Sequence, residues 1–390
     1  MSAARTYYLF FALIHIGMGS TVTAYTPFLQ SIGLTLGQIA LVNAIFWTVI
    51  IAAELPTGMF ADGRSRAFSL KFGGLFYSAG ALSYVFASGF WSVVLSESLI
   101  GIGGAFISGA GGAWIADALT REGRESELRH IYATENLIKS VLMLLGGFVG
   151  SAIALIDYHL IWIPFVVSGL LASAVAHCKM NGRGESLEYA SEVQAFKRAL
   201  AHLRRSRALI WVVASLIVFG AVVSFNQYWA LYYKPVVGQI GLAFIWPVMY
   251  LGLIGASQLV RRLTIPLGSE GKMIVVAVAL SGVGLLGVAL APGLWFAMPA
   301  IVVHELGRGF FQPLTDSFVQ HRIHTSYRAT FGSLQSFLGK MGFAAVPLVI
   351  WLFIADEPNT PSTITYVWIA CAIVLILGSV AVWFSRPRAD

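Results

Sequence analysis

Charge is what this sequence has least of. Only 11% of its 390 residues are Asp, Glu, Lys or Arg, against about 25% in soluble domains. So few charges cannot coat a water-facing globule, and the chain is expected to live in a membrane. Cysteine is nearly missing too. Cys178 and Cys371 are the only two, which excludes a disulfide framework and a cysteine-based metal cluster. No Walker-type Gly-Lys-Ser/Thr run occurs, which speaks against ATP-driven pumping by this chain. The glycine-rich stretches GRGES and GIGGAF neither follow a strand nor present a helix start to water, so no phosphate cradle is expected. His15, His130, His202, His304, His321 and His324 are scattered, and no metal site is expected. The chain therefore reads as a non-enzyme without a cofactor. The opening MSAARTYYLFFALIHIGMG lacks a small-residue cleavage site and reads as a first membrane span.

Apolar length is what the sequence has in abundance. Hydrophobic residues make up 57% of it, and its mean hydropathy is +0.78. Twelve stretches reach the length of about 20 mostly apolar residues that a spanning helix needs. They lie approximately at 7–29, 37–60, 67–88, 91–117, 130–155, 159–178, 209–233, 238–260, 271–291, 294–319, 329–354 and 363–384. A polar, basic segment, 179–208, divides them six and six. The expected organisation is thus an N-terminal six-helix half (1–178), a cytoplasmic linker (179–208) and a C-terminal six-helix half (209–390). Within the linker, EVQAFKRALAHLRRSRA suits either an amphipathic helix on an anionic leaflet or a merely solvated helix.

Orientation follows from the basic residues. Apart from Lys139, Lys234, Arg308 and Lys340, the 25 lysines and arginines fall on the termini, on the linker or on the loops of that same side. Cytoplasmic loops carry such an excess, so both termini are expected in the cytoplasm. The net charge of +7 then needs no nucleic acid to explain it. The halves echo each other faintly: Tyr132-Ala133-Thr134 opens span five and Arg328-Ala329-Thr330 opens span eleven, while Asp117 and Asp316 close spans four and ten.

The stretch ELPTGMFADGRSR, 54–66, stands between spans two and three. Gly58 to Asp62, followed by Gly63-Arg64-Ser65-Arg66, resembles the signature loop of the major facilitator superfamily of secondary transporters. One residue of that signature is missing, and glycine stands where its first arginine usually sits. ELPTGMFAD, SGAGGAWIAD (108–117) and RATFGSL (328–334) resemble a bacterial drug- and metabolite-efflux branch. The resemblance implies an all-α membrane fold of twelve helices in two pseudo-symmetric halves, in the bacterial inner membrane. It also implies a monomer driven by the proton gradient, with a small-molecule substrate, protons and membrane lipids as its partners. In the family this loop packs against the start of span eleven, where helix N-terminal amides would attract Asp62. Arg64 or Arg66 is expected to pair with Asp117. Gly58, Asp62, Arg64, Arg66 and Asp117 are thus a gating set, although the arginines also suit plain inside-positive anchors.

Ionisable groups inside spans are costly and by default face a cavity or one another. Glu54, Glu97, Glu135, Lys139, Glu305, Arg308 and Lys340 form that set, with His15 and His304 beside them. Glu135 and Lys139 lie four apart on one helix face and can pair; Glu305 and Arg308, three apart, invite the same reading. Lys340 has no acid within one turn of its own helix. The proton-carrier candidates are Glu97, Glu305, Glu54 and His15, in competition with a helix-end role for Glu54 beside Pro56 and a packing role for His15. Asn43, Trp47, Glu135, Asn136, Lys139, Asn226, Gln227, Arg308, Gln335 and Lys340 are candidates for lining a substrate cavity. Tyr232 and Tyr233 read as interfacial belt residues. Gly146, Gly147 and Gly150 permit close helix packing. The favoured function is proton-coupled efflux of a small organic compound, such as a drug, toxic metabolite or siderophore-like product, by alternating access. The alternatives are an uptake permease and a non-transporting receptor of the same fold.

Overall fold

The computed structural model describes residues 2–63, 65–180, 201, 203–204, 206–262, 269–320 and 328–387, with the side chains of 55, 59–63, 257, 261, 320 and 328–334 outside that description. Every regular element among these residues is helical: α1 Ala3–Gly19, α2 Tyr25–Ser31, α3 Leu36–Gly63, α4 Arg66–Val85, α5 Phe90–Glu122, α6 Leu128–Ala154, α7 Ile163–Lys179, α8 Arg207–Phe219, α9 Val223–Arg262, α10 Glu270–Leu290, α11 Leu294–Gln320, α12 Arg328–Ile354 and α13 Pro361–Phe384, with short 3-10 turns at Glu125–Glu127, Tyr158–Trp162 and Gly220–Val222. A hydrocarbon core offers no water to satisfy backbone groups, so an α-helix, which bonds them internally, is the expected spanning unit. Eight stretches of the described residues are long and apolar enough to cross a membrane by length and composition. One of them, Arg207–Val260, is 54 residues long and holds two of the twelve spans.

Local chemistry sets where these helices begin and turn. Thr35 and Gln38 form a reciprocal cap at the start of α3: the Gln38 amide N–H donates to Thr35 Oγ1 at 3.1 Å, and the Thr35 N–H donates to Gln38 Oε1 at 3.0 Å. Ser65, Ser206 and Thr360 accept from backbone N–H groups at the starts of α4, α8 and α13. Gly238 breaks α9 with φ 69° and ψ 175°, a left-handed region that glycine reaches without a Cβ clash. The chain there turns from span seven into span eight. After α5, Arg124 grips Glu122 at 2.9 Å and Glu127 at 2.7 Å. Its hydrogen bonds hold the Glu127 carboxyl below the usual range.

The helix of span two contains Pro56 and runs slightly past the expected limit at 60. A proline inside a helix removes one hydrogen bond, yet α3 runs on through Pro56 to Gly63. Glu54 therefore lies within a helix, not at its end.

The chain divides into two units, Met1–Tyr189 with Lys234–Trp246, and Ala190–Tyr233 with Pro247–Asp390. In the first unit, α4 packs against α5 and α7, α1 against α6 and α7, and α3 against α5. In the second, α10 packs against α11 and α13, and α8 against α12 and α13. The neighbours of spans one, three, four, five and six thus recur for spans seven, nine, ten, eleven and twelve. Lipid tails are as apolar as leucine, so small residues that allow close van der Waals contact hold such helices together. Gly146 shows this in the first unit: a Cβ there would sit 2.5 Å from the Gly19 backbone. Gly220 shows it in the second, where a Cβ would sit 2.8 Å from the Gly342 carbonyl carbon. Tyr84 stacks on Trp162 with centroids 3.8 Å apart in the first core, and Phe219 on Phe311 at 3.7 Å in the second. Tyr233 is 2% exposed and, with Tyr232, packs against Trp368. Tyr233 is thus a core residue of the second unit, which corrects the belt expectation for it, while Tyr232 is half-buried.

Candidate functional site

In the first unit the acid of α5 is enclosed. Glu97 is 7% exposed, and its Oε1 accepts the hydroxyl protons of Tyr25 at 2.6 Å and Tyr84 at 2.5 Å. Tyr25 opens α2 and Tyr84 lies in the last turn of α4, so three spans meet at one carboxyl oxygen. Trp162 covers the tyrosines, stacked on Tyr84 and edge-on to Tyr25. No ion pair reaches Glu97 among the described residues. Two O–H donors therefore stand where a buried charge would ordinarily have a cation.

Elsewhere in the first unit, α1 and α6 bring His15 and Glu135 together, with Nε2 3.0 Å from Glu135 Oε1. Helical spacing points Glu135 toward Lys139, but its carboxylate goes instead to a histidine 120 residues away in sequence. No ion pair forms between Glu135 and Lys139, which corrects the expected pair. His15 Nδ1 is buried without a partner. Asn136 and Lys139 are exposed on α6. Asn43 and Trp47 are half-buried one turn apart on α3, with Asn43 Oδ1 buried and unpartnered. Glu54 is half-buried further along the same helix.

The expected gate is described in part. Arg66 pairs with Asp117 and also donates to the Ala113 carbonyl oxygen at 2.9 Å. Gly58 is half-buried, with nothing within 4 Å of where a Cβ would stand. The Asp62 side chain and Arg64 lie outside the described residues, as do the start of span eleven's side chains, most of the linker, His321 and His324.

In the second unit the acid of α11 is neutralised. Glu305 and Arg308 form the expected pair, at 2.7 Å and 2.8 Å from Arg308 Nη1 to the two carboxylate oxygens. The same nitrogen donates to Asn226 Oδ1 at 2.8 Å, tying α11 to α9. Gln227, the next residue, is buried with neither amide atom partnered. His304 Nδ1 meets the Ser281 carbonyl oxygen at 2.8 Å, and its ring lies against Phe225. Gln335 is buried and, with Gln312, donates to Asp316 at 3.0 Å and 2.9 Å. Lys340 is half-buried on α12. No group of three or more His, Cys, Asp or Glu placed to hold a metal occurs among the described residues.

Sequence reasoning missed Tyr25, Tyr84 and Asp316. The two hydroxyls lie near the ends of separate spans, where tyrosine is unremarked. Only an acid lying deep in α5 hinted that donors must come from elsewhere.

Comparison with known proteins places this arrangement. A family model described as Major Facilitator Superfamily matches residues 7–347. An uncharacterized MFS-type transporter of Methanocaldococcus jannaschii is 23% identical over 251 residues, covering 62% of this chain and 64% of that protein; the match thus spans less than two thirds of the relative's length. Among solved structures, the nucleoside transporter NupG superposes with a TM-score of 0.79 at 12% identity, covering 99% of each chain. A bacterial homolog of the human lysosomal transporter Spinster gives 0.73 at 14%, covering 98% of this chain and 96% of that one. The peptide transporter POT in complex with sulfate gives 0.74 at 14%, covering 98% and 94%. At such identities the likeness is one of fold.

Proposed function

Because the chain belongs to the Major Facilitator Superfamily and is a multi-pass membrane transporter, not an enzyme, we propose that it couples proton movement to the export of a small organic compound by alternating access. The observation that carries this reading is Glu97. It is a carboxyl buried among apolar rings, held by two tyrosine hydroxyls and paired with no cation among the described residues. Taking up or losing a proton changes the charge of such a site outright, which is what coupling requires. Glu305 is a poorer carrier, because Arg308 already offsets its charge.

Export is favoured by the resemblance of ELPTGMFAD, SGAGGAWIAD and RATFGSL to efflux-type members. One solved structure sharing the fold comes from work on proton dependent oligopeptide transporters, which supports protons as the coupling ion. The bacterial inner membrane, cytoplasmic termini and a monomeric state complete the proposal. Reconstitution into proteoliposomes under an imposed pH gradient tests it. Solute accumulation against an opposing proton gradient is the expected result. Solute movement in the same direction as the proton would overturn export in favour of uptake.

A further inference from the structure

We infer that the polar stripe of α6 recognises an organic anion, with Lys139 contacting its carboxylate and Trp246 packing against its apolar body. This rests on the transport reading and names the substrate class of the first unit.

The stripe is separable from the lipid-facing side of the same helix. At about 100° per residue, Tyr132, Asn136 and Lys139 share one side of α6, and all three are exposed. Leu137, Val141, Leu145, Phe148 and Val149 are exposed as well, but they lie on roughly the opposite side. One exposed face is thus wholly apolar and suits hydrocarbon. The other carries an ammonium and a carboxamide, beyond the Tyr132 phenol that donates to the Gly112 carbonyl oxygen at 3.2 Å near the start of the helix, and at the depth of a mid-helix lysine such groups belong against water or a solute.

Two contacts then select the ligand. The acid best placed to neutralise Lys139, Glu135 one turn away, is engaged by His15 Nε2 at 3.0 Å. No ion pair or hydrogen bond of Lys139 occurs among the described residues. An ammonium has three donors and no acceptor, so its complement is an anion, and the Asn136 amide beside it adds further donors. One turn beyond Lys139, the Trp246 indole N–H donates to the Met143 carbonyl oxygen at 3.1 Å. The ring edge lies 2.9 Å from where a Gly147 Cβ would stand. Glycine at 147 is what lets the indole lie against α6 there, at the end of the polar stripe. A carboxylate on Lys139 would leave the rest of a short aromatic or aliphatic acid extending toward that ring. Lys139 lies near the middle of Leu128–Ala154, away from the level of lipid headgroups, so the anion is a solute.

The test uses the full chain in nanodiscs of zwitterionic lipid, titrated with 3-phenylpropionate and with its neutral amide, 3-phenylpropionamide. Binding is read by tryptophan fluorescence and by the thermal midpoint. The acid is expected to quench fluorescence and raise the midpoint, and the amide to do neither at equal concentration. Lys139→Met and Lys139→Gln should weaken the acid about tenfold or more, while Lys139→Arg should retain it. Equal responses to acid and amide, no response to the acid, or undiminished acid binding by both neutral variants would each overturn the inference. Selective acid binding without any effect of a pH gradient on its transport would uphold the site and overturn proton coupling. Proton-driven transport of other solutes with no acid binding would do the reverse.

Discussion

The two units share a packing plan and differ in how they treat charge. In each, the first span approaches the fifth through a glycine contact: Gly19 against Gly146, and Gly220 against Gly342. In each, the third span packs against the fourth and sixth. The acids on the fourth spans are handled in opposite ways. Glu97 has two hydroxyl donors and no cation among the described residues, whereas Glu305 has Arg308 on its own helix. The acids that close these spans differ as well: Asp117 takes an arginine, Asp316 two glutamine amides. Helix packing depends on small residues at a few contacts, and a repeat can keep those while its polar groups diverge. The difference leaves an acid held by hydroxyls in the first unit and an acid balanced by a cation in the second.

The largest expected effect comes from unbalancing the second unit. Arg308→Met would leave the fully buried Glu305 carboxylate uncompensated, costing about 3–5 kcal/mol. Its thermal midpoint should fall sharply, and adding Glu305→Gln should recover most of the loss. If the double variant is no more stable than the single one, the contrast between the units is drawn wrongly. Next in size are Gly146→Leu and Gly220→Leu, each expected to cost about 1–3 kcal/mol by overpacking. Similar falls in midpoint would sharpen the shared packing plan, and a fall in one alone would break it. Smallest is Arg66→Gln. The Arg66–Asp117 pair is part-exposed, and such pairs contribute roughly 0–1 kcal/mol, so the midpoint should barely move. A loss comparable to Arg308→Met would show Asp117 to be as dependent on its cation as Glu305.

The spans were legible in the sequence because bilayer thickness fixes their length and water exclusion fixes their composition. The Glu305–Arg308 pair was legible because both partners lie on one helix at adjacent turns. The same rule misled at Glu135. Spacing along α6 reveals Lys139 as a neighbour but is blind to His15, which tertiary packing brings from α1. Glu97 illustrates the limit most clearly. Its place within a span marked it as a candidate, but its donors come from α2 and α4, and no periodicity within α5 points to them. For Glu54, Pro56 made a helix-end role compete with proton carriage, but the helix runs on to Gly63 because the single bond that proline removes is a local loss.

Proton coupling through Glu97 is tested most directly by reconstituting Glu97→Gln beside the wild type and measuring solute counterflow and pH-driven accumulation in the same proteoliposomes. Glutamine keeps the shape and the hydrogen-bonding capacity but cannot exchange a proton. The expected result is counterflow at wild-type level with accumulation lost. Accumulation that still follows the pH gradient as in the wild type would show that the proton travels elsewhere.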